Sequence, residues 1–212
     1  MDHVSAATIA GPLTHPVTGH SYYLLTYNTW TTSENEAITL GGHLATINDA
    51  AENQWINDTF IPLAISNQPS AQGNVSLWIG LNDTANEGIF TWASGEAVSY
   101  LHWNPGQPNS GGGFPTNDQD YVQMYGPNTR PVGSPLQQPG FWNDYNNFAS
   151  RSDPFGAYFG VVEIVPEPSA LSLFVLGTFG SLLRRRRGSA AFHITYLCNH
   201  PTSQFPFCPV DP

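Results

Sequence analysis

The residues of this chain that could do chemistry are mostly oxygen donors, and they gather in two strings. Trp103 to Asp120 reads WNPGQPNSGGGFPTNDQD, and a shorter string, Trp142-Asn143-Asp144, follows it. Gln107, Asn109, Asp118, Gln119 and Asp120 come from the first, and Asn143 and Asp144 from the second. All are hard oxygen donors with no Cys or His among them, a set that suits Ca²⁺ rather than Zn²⁺. Asn, Asp, Gly and Pro are also the ordinary turn residues, so a solvated loop is the competing reading. A hydrolytic enzyme is disfavoured. The body of the chain has scattered His residues, no Cys before Cys198, and no Gly-x-Ser-x-Gly nucleophile elbow.

Composition bounds the partners. The chain has 212 residues, enough for one sizeable domain with its own core. It contains no Lys, and four of its six basic residues are the consecutive Arg184 to Arg187, so the body before them is strongly acidic. An acidic surface repels phosphate backbones, which argues against nucleic acid as a partner and leaves cations and uncharged ligands open. With 20 Gly and 18 Pro, a loop-rich fold containing strands is expected rather than a helical bundle. Both cysteines, Cys198 and Cys208, lie near the end of the chain, so no internal disulfide staples what precedes them.

The elements that must position the oxygen-rich strings can be read in order. Met1 to Pro16 has no Lys or Arg and no apolar run of signal-peptide length, although Ala6 to Ala10 resembles the end of one; if the protein is exported, the expectation is that the true start lies upstream of Met1. His20 to Tyr27 is an aromatic and aliphatic run of strand length. Ser33 with Glu36 fits a capping box that opens a helix, which Gly41-Gly42 stops. Asp49 with Glu52 repeats the pattern, Trp55, Ile56, Thr59 and Phe60 share one helical face as core, and Pro62 is expected to end that helix. Leu77 to Leu81 and Ile89 to Trp92 read as antiparallel strands around the polar turn Asn82 to Gly88. Between Asn104 and Gly140, Tyr121 to Tyr125 alternates as a strand in an otherwise long irregular excursion of the kind that carries function. Phe141-Trp142 and Gly160 to Ile164 supply the last strands.

This order of motifs resembles the C-type lectin-like domain. The residues that carry the resemblance are the first strand, Leu40-Gly41-Gly42-His43-Leu44-Ala45-Thr46-Ile47, Trp78-Ile79-Gly80-Leu81-Asn82-Asp83, Phe90-Thr91-Trp92, Trp103 to Asn109, and Trp142-Asn143-Asp144. The resemblance spans about 19–165 and implies an α+β fold of two helices with antiparallel sheets and a long ligand-binding loop, in which the strand of Tyr22 pairs with that of Val161. It further implies a Ca²⁺ ion held by Gln107, Asn109, Asn143 and Asp144, with Pro108 matching the family's cis proline and a loop carboxylate, Asp118 or Asp120, completing the set. A saccharide would place two vicinal hydroxyls on that ion and hydrogen-bond the same side chains, while Trp142 packs beneath. Gln-Pro-Asn mixes the family's Glu-Pro-Asn and Gln-Pro-Asp types, and Gln119 stands where a Glu is frequent. With so few carboxylates, weak Ca²⁺ binding is expected, about 10⁻⁴ to 10⁻³ M.

A second string closes the readable part of the chain. Val165-Pro166-Glu167-Pro168, the apolar Ser169 to Leu183, and Arg184 to Arg187 resemble the PEP-CTERM sorting signal of Gram-negative bacteria. The apolar part, 169–183, would make a helix of ~22 Å, short for a bilayer core, with the arginines held on the cytoplasmic side. The resemblance implies export, a transient membrane anchor at the inner membrane, processing by an exosortase-type enzyme, and delivery to the cell surface or an extracellular polysaccharide matrix. The layout expected is therefore an N-terminal extension at 1–18, possessing at most the remnant of a signal peptide, a lectin-like domain at 19–165, a sorting and anchor segment at 166–187, and an atypical tail at 188–212. Two functions fit: a non-enzymatic carbohydrate-binding module that uses Ca²⁺, or a structural or protein-binding matrix protein in which the loop is only solvated turn.

Overall fold

The computed structural model describes residues 7–68, 74–109, 119–128, 138–147 and 157–167. The chain divides after Glu167, and the second part, Pro168–Pro212, lies wholly outside the described residues. So does the expected membrane segment 169–183; among the described residues no helix is long and apolar enough to cross a membrane.

Eight strands form one mixed, mostly antiparallel sheet: β1 (Thr8–Thr14), β2 (Ser21–Tyr27), β3 (His43–Leu44), β4 (Asn74–Asn82), β5 (Thr91–Trp92), β6 (Tyr121–Asn128), β7 (Trp142–Tyr145) and β8 (Ala157–Ile164), with helices α1 (Trp30–Leu40) and α2 (Ala50–Asn67). The main path runs β1-β2-β8-β4-β6-β7, with β3 on β8 and β5 on β4. The fold is α+β, and the expected pairing of the Tyr22 and Val161 strands is present, with Tyr22 opposite Glu163 and Leu24 opposite Val161. β8 pairs antiparallel with β2 on one side and parallel with β4 on the other.

Strand alternation explains why the sheet needs a helix on each face. Tyr22 and Leu24 of β2, Phe159 and Val161 of β8, and Leu77, Ile79 and Leu81 of β4 share one core with Ile56 and Phe60 of α2. The intervening residues turn the other way. Leu25 and Val162 close on Ala37 of α1, and Trp78 and Tyr158 pack with Trp30, the first residue of α1. Gly80 is a point of close approach: a Cβ there would run into the Leu44 carbonyl, so the β4 backbone can lie against the end of β3 only because that atom is missing.

The structure corrects three expectations about element ends. α1 begins earlier than Ser33; its N-cap is Thr29, whose hydroxyl accepts the Thr32 N–H at 3.2 Å, and Ser33 is buried inside the helix against Gly160. Ser33-x-x-Glu36 has the letters of a capping box, but burying Trp30 draws the helix start back one turn. Pro62 does not end α2, which continues to Asn67. The bond a proline forfeits is to the carbonyl of the exposed Asp58, while Ile61 and Ala64 are buried and hold the following turn. Thr8–Thr14, assigned to an extension by sequence, pairs antiparallel with β2 as the edge strand of the sheet. The cap of α2 follows the sequence reading: Asp49 accepts the Glu52 N–H at 2.9 Å, and Glu52 reaches back one residue beyond the cap to the Asn48 N–H at 2.8 Å.

Candidate functional site

The end of the sheet formed by β4, β6 and β7 carries the candidate site. The Trp103 to Asn109 segment is fastened to β7 by backbone bonds, Asn104 N–H to the Trp142 carbonyl and Trp142 N–H to the His102 carbonyl, each 2.8 Å. Trp142 is fully buried, packs against Trp92, Tyr100 and Trp103, and donates its indole N–H to Asn53 Oδ1 of α2 at 2.8 Å. It lies beneath the segment, as a support. From this footing the chain turns through Pro105-Gly106 to Gln107, and the Gln107–Pro108 peptide is cis.

Of the residues expected to act together, the structure shows Asn109 and Asp144 meeting. The Asn109 N–H donates to Asp144 Oδ2 at 2.9 Å, and Asp144 is fully buried. Asn143 is buried beside it, with its amide terminus 2.6 Å from the Asp144 carbonyl. Gln107 contributes a buried side-chain oxygen, Oε1, that has no hydrogen-bond partner among the described residues. Such an atom is costly unless something accepted from outside the protein satisfies it. Asp118 lies outside the described residues.

Asp120 is placed in a different group. Its carboxylate, that of Asp83 at the end of β4 and that of Glu87 in the following turn offer oxygens all within 4.8 Å of one another. The turn is tightly made: Asp83 N–H donates to the Asp120 carbonyl at 3.1 Å, Asn86 N–H to the Asp83 carbonyl at 3.0 Å, and Gly88 N–H to Asp83 Oδ2 at 2.8 Å. Asp83 is buried and its second oxygen, Oδ1, has no hydrogen-bond partner among the described residues. Burial pushes the Asp83 carboxyl up to about 6, the Gly88 N–H opposing and the charges of Glu87 and Asp120 adding to the rise. Three carboxylates turned on one point repel each other, and a hard divalent cation is the species that would reverse the sign of that interaction. The donor chemistry therefore fits Ca²⁺ here better than at the Gln107–Asn109 turn, where amides predominate.

Sequence reasoning missed Asp83 and Glu87 because they sit in a stretch that reads as a hairpin turn. The available signal was two acids four apart directly after an apolar strand.

Comparison with known proteins bears on the fold that carries these groups. Residues 26–119 match the family model described as Lectin C-type domain, and residues 165–187 match the PEP-CTERM protein-sorting motif. Over 128 residues the chain is 33% identical to human C-type mannose receptor 2, covering 60% of this chain and 8% of the receptor. It is 36% identical over 95 residues to Lectin BRA-3 of Megabalanus rosa, covering 43% of this chain and 51% of that lectin. The chain thus spans about half or less of the length of these relatives. Among solved structures, the mouse scavenger receptor C-type lectin carbohydrate-recognition domain superposes with a TM-score of 0.52 at 23% identity, covering 74% of this chain and 99% of that one; the likeness is one of fold. Domains of this kind are non-enzymatic binding modules, and no catalytic role is assigned to any residue.

Proposed function

We propose, from a chain that carries a C-type lectin domain and a PEP-CTERM protein-sorting motif, that this is an exported bacterial surface or matrix protein that binds carbohydrate with the help of Ca²⁺. The observation that carries the reading is the pair of cation-shaped donor groups at one end of the sheet: Asp83, Glu87 and Asp120 together, and Asp144 closed on by the Gln107–Asn109 turn. The first group would hold an ion and brace the start of β6. The second would meet the saccharide, through Gln107, Asn109, Asn143 and Asp144.

In this chain the partner of the sorting motif would be an exosortase-type enzyme, with the apolar 169–183 segment as a transient membrane anchor before release to the surface or an extracellular polysaccharide.

The test is thermal unfolding of the full chain with millimolar Ca²⁺ and with chelator. An ion that binds the folded state alone at about 0.1 to 1 mM raises the midpoint by about 3 °C or more at ten-millimolar ion. Asp144→Ala is expected to lose part of that shift and Asp83→Asn the larger part. A glycan array repeated with chelator then separates sugar binding from metal binding. The absence of any Ca²⁺ shift, or an undiminished shift in both variants, would remove this reading and leave a structural matrix protein.

A further inference from the structure

Tyr22 has one hydroxyl, and it sits between two carboxylates. Its oxygen is 2.7 Å from Glu52 Oε1 of α2 and 2.8 Å from Glu163 Oε1 of β8, and all three residues are buried. A phenol carries a single proton and can donate it to one of them. The other short contact would then set lone pair against lone pair, unless that carboxyl carries a proton of its own and donates back. The outer oxygens are already taken by backbone donors: Glu52 Oε2 by Asn48 N–H at 2.8 Å, and Glu163 Oε2 by Thr46 N–H at 3.0 Å.

Among the described residues no fixed cation is at hand to change this count. The described residues contain neither Lys nor Arg. His20 approaches Glu163 Oε1 with Nδ1 at 2.6 Å, but a proton on that nitrogen fills its own contact and not the one between Glu163 and the phenol. His15 presents its ring to the Tyr22 ring, edge-on at 6.4 Å, and is bonded to Thr18. His43, opposite Glu163 in the β3–β8 register, is engaged by Glu34 Oε1 of α1 at 2.6 Å. Among the described residues these are the histidines near the cluster, from β3 and the turn before β2.

We propose that the Glu52–Tyr22–Glu163 group holds one proton beyond the phenol's own at neutral pH, with Glu163 as a carboxylic acid donating to Tyr22 and Tyr22 donating to Glu52. Burial pushes the Glu163 carboxyl above the ordinary range, opposed by the bonds from Tyr22, His20 and Thr46, and Glu52 adds to the rise. The same burial pushes the Tyr22 phenol far up, so the phenol keeps its proton throughout. The group joins β2, α2 and β8 at the seam where the first long strand meets the last. Because the folded state binds this proton more tightly than the unfolded chain does, the stability it brings is complete below the ordinary carboxylate range and is lost as pH rises through the raised value.

Infrared spectroscopy of the full chain at neutral pH tests this. A carboxylic-acid carbonyl band is expected in the wild type and is lost in Glu163→Gln. It is lost as well in Glu52→Gln, where the new amide donates to the phenol oxygen and lets Tyr22 donate to an ionised Glu163. Circular dichroism reports whether each variant folds, and if one does not, the other decides. No acid band in the wild type, or a band that survives undiminished in a folded variant, overturns the proposal.

Discussion

At the scale of single residues, the candidate site turns on buried oxygens that the described residues leave without donors. Asp83 is the clearest, with one oxygen bonded to Gly88 N–H and the other to no donor among the described residues. Its carboxyl is raised to about 6, against about 3.9 for an unperturbed Asp. Without a cation, the group therefore costs stability progressively as pH rises from about 4 to about 6, and the cost then levels off. A bound Ca²⁺ would cancel that cost. The expected outcome is a Ca²⁺-induced rise in unfolding midpoint that is small at about pH 4.5 and full above about pH 7, read by calorimetry at both ends. Asp83→Asn should flatten this difference. The sequence made Asn109 and Asp144 legible as neighbours, because each sits in a short string of distinctive letters. Asp83 and Glu87 were not legible, because a cation site and a polar hairpin turn draw on the same residue types, and only the fold brings Asp120 to them.

At the scale of elements, the long strands and the second helix cap followed from alternation and capping chemistry, while the short and edge elements did not. β3 has two residues, too few for any period to show, yet it is pinned by Glu34 of α1, which accepts the Leu44 N–H at 2.9 Å. β1 has mostly exposed or half-exposed residues and pairs with irregular register, so it lacks the alternation by which a strand is recognised. The start of α1 separates letters from structure. Thr29→Ala should cost about 1 kcal/mol, because it removes the acceptor for the Thr32 N–H. Ser33→Ala should cost nothing or stabilise slightly, since the Ser33 hydroxyl is buried without a partner and the helix is already capped. Urea titration of the two variants distinguishes them, and the reverse order would restore Ser33 as the cap.

At the scale of the whole molecule, the formal net charge of −10 is the dominant fact, and the described part has no Lys or Arg to offset it. Its buried carboxylates are met by hydrogen-bond donors, by a retained proton or by a metal ion. Glu34 lies 2.6 Å from the His43 ring; a retained proton and a metal ion are the ones proposed for Glu163 and for Asp83. Self-repulsion among the remaining acids should be relieved by simple screening. Raising sodium chloride from about 10 mM to about 0.2 M is expected to raise the unfolding midpoint in the presence of chelator, and added Ca²⁺ should raise it further at constant ionic strength. A midpoint insensitive to salt would show that the acids lie too far apart to matter.

The position of β8 has a mechanical consequence. The described chain leaves the sheet at Val165 to Glu167 directly from a strand bonded to β2 on one edge and β4 on the other. A pull on Glu167 along the strand would load both ladders in shear, so that rows of hydrogen bonds share the force instead of opening one at a time. A domain tethered at this end and gripping a ligand elsewhere would take tension through a strand bonded on both of its edges.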